Sequence, residues 1–140
     1  MSNQPLIAVI DDEDSFLELM EAVLEEEGYR VVVGNVPDDA LTLIQQTHPA
    51  LVVLDLNFRM SGMQGITILK AMRDDTALTD IPVIVCSAAT DKLEQHQDEF
   101  DALSAHTLKK PFDLTDLLTL VAQLLPVSEP SVPATDTVQS

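Results

Sequence analysis

The chain has a single cysteine, Cys86, among 140 residues. With one thiol no intramolecular disulfide and no multi-cysteine metal site can form, which fits a reducing compartment. Positive charge is scarce too: seven Lys and Arg stand against 24 Asp and Glu, a formal net charge of -17. A field of that sign repels phosphate backbones and anionic headgroups, so neither nucleic acid nor a membrane surface is an expected partner. The plainer consequence of so acidic a surface is solubility. Long apolar runs are also missing. None approaches the roughly 18 residues that span a bilayer. The stretch Leu6–Ile10 is too short for the hydrophobic region of a signal peptide and runs straight into Asp11, Asp12, Glu13 and Asp14. A cytoplasmic chain is expected.

What is present suits one compact domain, since 46% of the residues are hydrophobic and the length is ordinary for a single core. Four short runs are rich in Val, Ile and Leu: Leu6–Ile10, Val31–Val33, Leu51–Leu54 and Pro82–Cys86, with a weaker fifth at His106–Lys109. Unbroken apolarity without alternation is the signature of a strand covered on both faces. Helical patterns lie between the runs, and that alternation predicts an α/β fold with a parallel sheet.

The first helix is the clearest. Phe16, Leu17, Leu19, Met20, Val23 and Leu24 recur at helical spacing, Ser15 and Glu18 have the spacing of a capping box, and Gly28 suits a left-handed C-terminal residue. A second helix is predicted from Pro37 to the His48–Pro49 stop, and a third from Gly65 to Asp75 burying Ile66, Leu69 and Met72. Between Ala89 and Leu103 the apolar anchors thin to Leu93, Phe100 and Leu103, which predicts a marginal or mobile helix. The last helix begins at a capping Asp113 and buries Leu114, Leu117, Leu118, Val121 and Leu125. Residues 126–140, with three prolines and little to bury, are expected to be a disordered tail after a domain at 1–125, with no output domain following.

In an open parallel sheet, ligands bind beyond the carboxyl ends of the strands, where the winding direction reverses. That rim would carry Asp11 and Asp12 after strand one, Asp55 after strand three, Ser87 after strand four, and Lys109 and Lys110 after strand five. Singly, each has an ordinary reading as a turn, a cap or a solvated charge. Jointly they suggest chemistry. If strands one and three are neighbours, two carboxylates about 5 Å apart repel by roughly 3 kcal/mol at an effective dielectric near 20. A cation or a proton must then compensate. Hard carboxylate oxygens match magnesium, which takes one or two protein carboxylates and keeps waters for incoming phosphate oxygens. A carboxylate nucleophile, a metal, a lysine and a hydroxyl together equip a site for phosphoryl transfer.

On the motifs VIDDE (Val9–Glu13), LVVLDL (Leu51–Leu56), GMQG (Gly62–Gly65), IPVIVCSA (Ile81–Ala88) and KKPF (Lys109–Phe112), the chain resembles the receiver domain of two-component response regulators from Leu6 to Leu125. The resemblance implies a flavodoxin-like, doubly wound, five-stranded parallel sheet in order 2-1-3-4-5 with five helices. It implies Asp55 as phosphoacceptor and Asp12 as the main magnesium ligand. Asp11 would fill a second ligand position or hold a water, and the backbone carbonyl of Asn57 would be a further ligand. Ser87 and Lys110 would bind phosphoryl oxygens, Lys110 being chosen because the family's lysine directly precedes the proline, here Pro111. A histidine kinase or phosphotransfer protein would donate, and an effector protein would read the result. Such a chain is not a conventional enzyme, although it catalyses its own phosphorylation and dephosphorylation.

Departures from the family pattern are visible. The stretch from Asp55 to Gly65 is about two residues longer than usual, Ser61 stands where a proline is common, and Thr107 occupies the place of a switching Tyr or Phe. Activation without that aromatic is expected. The alternative within the fold is a degenerate receiver serving as a constitutive protein-binding module, against which all five chemical positions keep competent side chains. A flavodoxin-like flavin carrier would need a neutral phosphate loop, and Asp11–Asp14 would repel the flavin phosphate. A phosphatase of the haloacid dehalogenase type would need an acid two residues after the nucleophile, where Asn57 stands.

Overall fold

The structure, a computed structural model, describes residues 4–55, 65–87, 94, 97–110 and 112–125. In chain order it runs β1 (Leu6–Ile10), α1 (Asp14–Glu26), β2 (Arg30–Gly34), α2 (Pro37–Thr47), β3 (Leu51–Asp55), α3 (Gly65–Asp74), β4 (Val83–Ser87), α4 (Gln97–Ala102), β5 (Ala105–Lys109) and α5 (Leu114–Leu124). All strands pair parallel, in the order β2-β1-β3-β4-β5. This is the expected flavodoxin-like architecture. Of the runs read as strands covered on both faces, β3 and β4 are buried throughout and β1 nearly so, while β2 and the weaker β5, at the sheet edges, are largely half-buried or exposed.

Because side chains alternate across a sheet, each central strand feeds two cores. Ala8, Ile10, Val52, Leu54, Val83 and Val85 face α2, α3 and the buried Phe100 of α4. Ile7, Val9, Leu51, Val53, Ile84 and Cys86 face α1 and α5 through Leu17, Met20, Leu24, Leu117 and Val121. The two layers clamp the sheet, so Asp11 and Asp55 at the ends of β1 and β3 are carried on rigid supports.

Helix ends differ from the sequence reading in instructive ways. The capping box of Ser15 and Glu18 is not formed. Helix α1 starts at Asp14 with Glu13 at its N-cap and no side-chain cap bond. Instead Asp11 Oδ1 accepts the Glu13 N–H at 3.0 Å, tying the entry of the helix to the strand before it. Leu19, expected in the apolar stripe, is 47% exposed, because it lies about 200° round the helix from Leu17. Helix α3 also buries Ile68, which the sequence reading left out, and leaves Ile66 half-buried. Asp113 stands at the N-cap of α5 as expected, yet its backbone carbonyl, not its carboxylate, accepts the Asp116 and Leu117 N–H groups.

Other ends match. Gly28 has φ +96°, with its N–H bonded to the Glu25 carbonyl and the Tyr29 N–H to that of Leu24, the paired bonds of a Schellman stop. Helix α2 stops at a left-handed His48 ahead of Pro49. Of the helix expected between Ala89 and Leu103, Gln97–Ala102 is present with Phe100 fully buried; residues 88–93 and 95–96, like the tail at 126–140, lie outside the described residues.

At the amino ends of β4 and β5, Arg73 of α3 ties three backbone carbonyls together: Nε donates to Leu103 at 2.7 Å, and Nη1 to Ile81 at 2.8 Å and Thr79 at 3.0 Å. Burial lowers its pKa and Asp80 opposes that shift. Arg73→Met keeps the apolar stem and strands the carbonyls, so we expect a loss of about 2–4 kcal/mol. Urea unfolding would show it as a lower midpoint at constant slope; a midpoint within error of the parent would refute the clamp.

Candidate functional site

Among the described residues, three polar side chains are buried: Asp11 (1% exposed), Asp55 (8%) and Ser87 (2%). Each stands at or just past the carboxyl end of a central strand. Burying polar groups is costly unless they are hydrogen-bonded or paired, so three at one end of a sheet mark a built site.

The strand registers bring them together. Ile10 pairs with Leu54, so the next residues, Asp11 and Asp55, emerge side by side; Asp55 in turn pairs with Cys86, which puts Ser87 one step beyond. The Asp11 N–H extends the β1–β2 ladder to the Gly34 carbonyl at 3.1 Å. The fit around Gly34 is tight, since a Cβ there would sit 3.1 Å from both Ile10 Cδ1 and Leu43 Cδ2, and those side-chain ends would have to shift to admit it. Carboxylate oxygens of Asp11, Asp12 and Asp55 all lie within 4.8 Å of one another, close enough for a pair to repel by roughly 3 kcal/mol at an effective dielectric near 20.

The compensating charge is Lys110. Its Nζ donates to Asp11 Oδ2 at 2.6 Å and lies 3.9 Å from Asp55 Oδ1. Its backbone N–H bonds to the Ser87 carbonyl at 2.8 Å, fixing the end of β5 against that of β4. Burial works to lower the Lys110 pKa, but the hydrogen bond and charge of Asp11, then the charge of Asp55, outweigh it and the net shift is upward. The ammonium stays charged. Lys109 instead points to solvent, where it pairs loosely with Glu94 at 3.7 Å.

An aromatic ring faces the lysine and a second ring backs the first, and the sequence reading missed this role for both. Phe16, read there only as part of the α1 stripe, puts its ring centroid 4.2 Å from Lys110 Nζ. Phe112 meets Phe16 edge-on, centroids 6.2 Å apart and planes at 86°. The available signal was the position of Phe16 in the first turn after the acidic loop. The thiol of Cys86 is pushed up to about 12, chiefly by burial, so it is neither a nucleophile nor a thiolate ligand at neutral pH. Of the expected site residues, Asp11, Asp12, Asp55, Ser87 and Lys110 lie at this one end of the sheet, while Asn57 falls outside the described residues.

The donor set fits a hard divalent cation: three carboxylates, two of them buried, with no nitrogen or sulfur ligand in the group. Among the described residues, no helix is long and apolar enough to cross a membrane.

Comparison with known proteins agrees with this geometry. Residues 7–122 match the profile of the response regulator receiver domain. The chain is 35% identical over 126 residues to the DNA-binding dual master transcriptional regulator RpaA of Synechocystis, covering 86% of this chain and 49% of that protein. It is 31% identical over 121 residues to the DNA-binding response regulator MtrA of Mycolicibacterium smegmatis, covering 82% and 48%. The chain thus spans about half the length of these curated relatives. Among solved structures, a Francisella response regulator receiver domain superposes with a TM-score of 0.75 at 28% identity, covering 86% of this chain and 96% of that one. The chemotaxis response regulator CheY4 of Vibrio cholerae gives 0.77 at 25%, covering 88% and 100%. Fold, buried acidic site and sequence match converge, and the chain belongs to the receiver domain family of two-component response regulators.

Proposed function

We propose that this chain accepts a phosphoryl group on Asp55 from the phosphohistidine of a histidine kinase or phosphotransfer protein. The observation that carries the reading is the cluster of Asp11, Asp12 and Asp55, the first and last of them buried, with the Lys110 ammonium between those two. In the transfer, an Asp55 carboxylate oxygen forms a bond to phosphorus as the P–N bond breaks and the imidazole leaves. Lys110 neutralises charge on the phosphoryl oxygens, and Ser87 donates its hydroxyl to one of them. Asp12, with Asp11 and Asp55, would hold magnesium, and the Asn57 carbonyl is proposed as a further ligand. When bound, the ion supplies positive charge that offsets carboxylate repulsion and phosphoryl charge. Hydrolysis by the same site would reset the domain, so it acts as a self-catalysing switch and not as a conventional enzyme.

The Synechocystis and Mycolicibacterium relatives are DNA-binding regulators, but the net charge of -17 on the chain argues that this chain, with its proposed receiver segment at 1–125, contacts protein and not nucleic acid. Kinase, effector and the reducing cytoplasm form one proposal. Transfer from an autophosphorylated histidine kinase in magnesium tests it: label should move to the wild-type chain, stop with a chelator and fail in Asp55→Asn. Undiminished labelling of Asp55→Asn would overturn the assignment. A wild-type chain that takes no label from any competent donor would favour the binding-module alternative.

The signal is expected to leave through α4, β5 and α5. Thr107 is half-buried on β5, so no aromatic swings inward there. Motion must start at Ser87 and its paired strand end, Lys109. A modest coupling of about 1–3 kcal/mol follows. Hydrogen exchange should show altered protection across 97–124 on phosphorylation; changes confined to the loops after Asp12 and Asp55 would refute this route.

A further inference from the structure

We propose that Phe16 is a positioning residue for Lys110, its ring face holding the ammonium at the Asp11 and Asp55 end of the cleft; what this means for transfer rests on the phosphoacceptor reading above. The ammonium has three N–H donors. One is given to Asp11 Oδ2 at 2.6 Å, and Asp55 Oδ1, at 3.9 Å, lies beyond hydrogen-bond length. The Phe16 ring faces the same nitrogen with its centroid at 4.2 Å.

A π face attracts a cation through its quadrupole but is a poor hydrogen-bond acceptor. It therefore holds the charge in place without taking up a strong donor, which leaves N–H groups for a phosphoryl oxygen. An aliphatic side chain would fill much of the same space without that attraction.

The ring is itself fixed. Phe16 lies in the first turn of α1, whose entry is tied to the site by the Glu13 N–H bond to Asp11 Oδ1. Phe112, two residues beyond Lys110, meets it edge-on at 86°. Ring, lysine and acidic loop thus form one connected unit. Phe16 is half-buried and packs against the core layer on the α1 and α5 side, but packing alone does not call for a charged nitrogen over its face, 4.2 Å from the ring centroid.

The first test needs neither metal nor phosphodonor. In the NMR spectrum of the metal-free protein, the Lys110 ε-methylene protons should be shifted upfield by the ring current. The shift should vanish in Phe16→Leu and persist in Phe16→Tyr. Phe16→Met, a flexible side chain of similar size, replaces Leu if that variant folds poorly. The second test is rate. With saturating magnesium and a small acyl phosphate, Phe16→Leu should take up phosphoryl roughly three- to tenfold more slowly. Phe16→Tyr should restore the rate, and magnesium affinity should be unchanged. In a Lys110→Met background the Leu substitution should add nothing. An ε-methylene shift that survives loss of the ring overturns the proposal, and so does an equal rate effect with and without the ammonium. Absence of any phosphoryl uptake by wild type would sink the functional reading instead, and the NMR comparison would still decide the placement.

Discussion

Lys110→Ala should weaken the metal-free protein sharply and make it more responsive to magnesium than the parent. The Asp11 carboxylate is almost fully buried and has Lys110 Nζ at 2.6 Å as its counter-charge. Removing one partner of a buried pair costs about 3–5 kcal/mol, because the remaining charge is left uncompensated. Here the penalty is aggravated by Asp12 and Asp55, whose oxygens lie within 4.8 Å of those of Asp11. The lysine also competes with a cation for Asp11, so its loss should tighten magnesium binding while removing an ammonium that the transfer needs. Phosphoryl uptake at saturating magnesium should fall about 100-fold, the low end of what loss of one oxyanion donor costs. Thermal unfolding with and without magnesium separates these effects. An unchanged melting temperature without metal, or a magnesium shift no larger than in the parent, would contradict the role given to this ion pair.

The second large effect concerns the metal directly. A cation bound tenfold above its Kd stabilises the native state by about 1.4 kcal/mol, which for a domain of this size raises Tm by roughly 4–6 °C. Low-millimolar magnesium should do this for the wild-type chain. Any salt screens a chain of net charge -17, so sodium chloride at matched ionic strength is the necessary control. Asp12→Ala should abolish the magnesium-specific part and leave the screening part. Equal shifts with both salts, or an undiminished magnesium shift in the variant, would remove the site.

How much of this was legible in the sequence depended on the range of the interaction. The central strands announce themselves because a segment buried on both faces must be apolar throughout, as β3 and β4 are. The stop at Gly28 was legible because the left-handed conformation selects residue type locally. The start of α1 was not. Ser15 and Glu18 carry the pattern of a capping box, but the chain is already committed two residues earlier by Asp11 accepting the Glu13 N–H. Strand order is set by pairings between distant segments, and no periodicity encodes it; only the resemblance supplied it. The same holds at the site. Acidic residues at strand ends could be seen in the sequence, and the joint pattern could be weighed. That Lys110 would close on Asp11, and that Phe16 would face its ammonium, depends on α1 and the end of β5 converging across most of the chain.

The central claim is that Asp55 carries the phosphoryl group, and trapping tests it most directly. The chain is incubated with magnesium and a small acyl phosphate, reduced with borohydride, digested and sequenced by mass spectrometry. An aspartyl phosphate is a mixed anhydride and is reduced to homoserine, whereas free carboxylates and phosphoesters are not. Homoserine should appear at position 55 alone, and only when donor and magnesium are both present. Homoserine at Asp11, Asp12 or another acid with Asp55 intact would contradict the account.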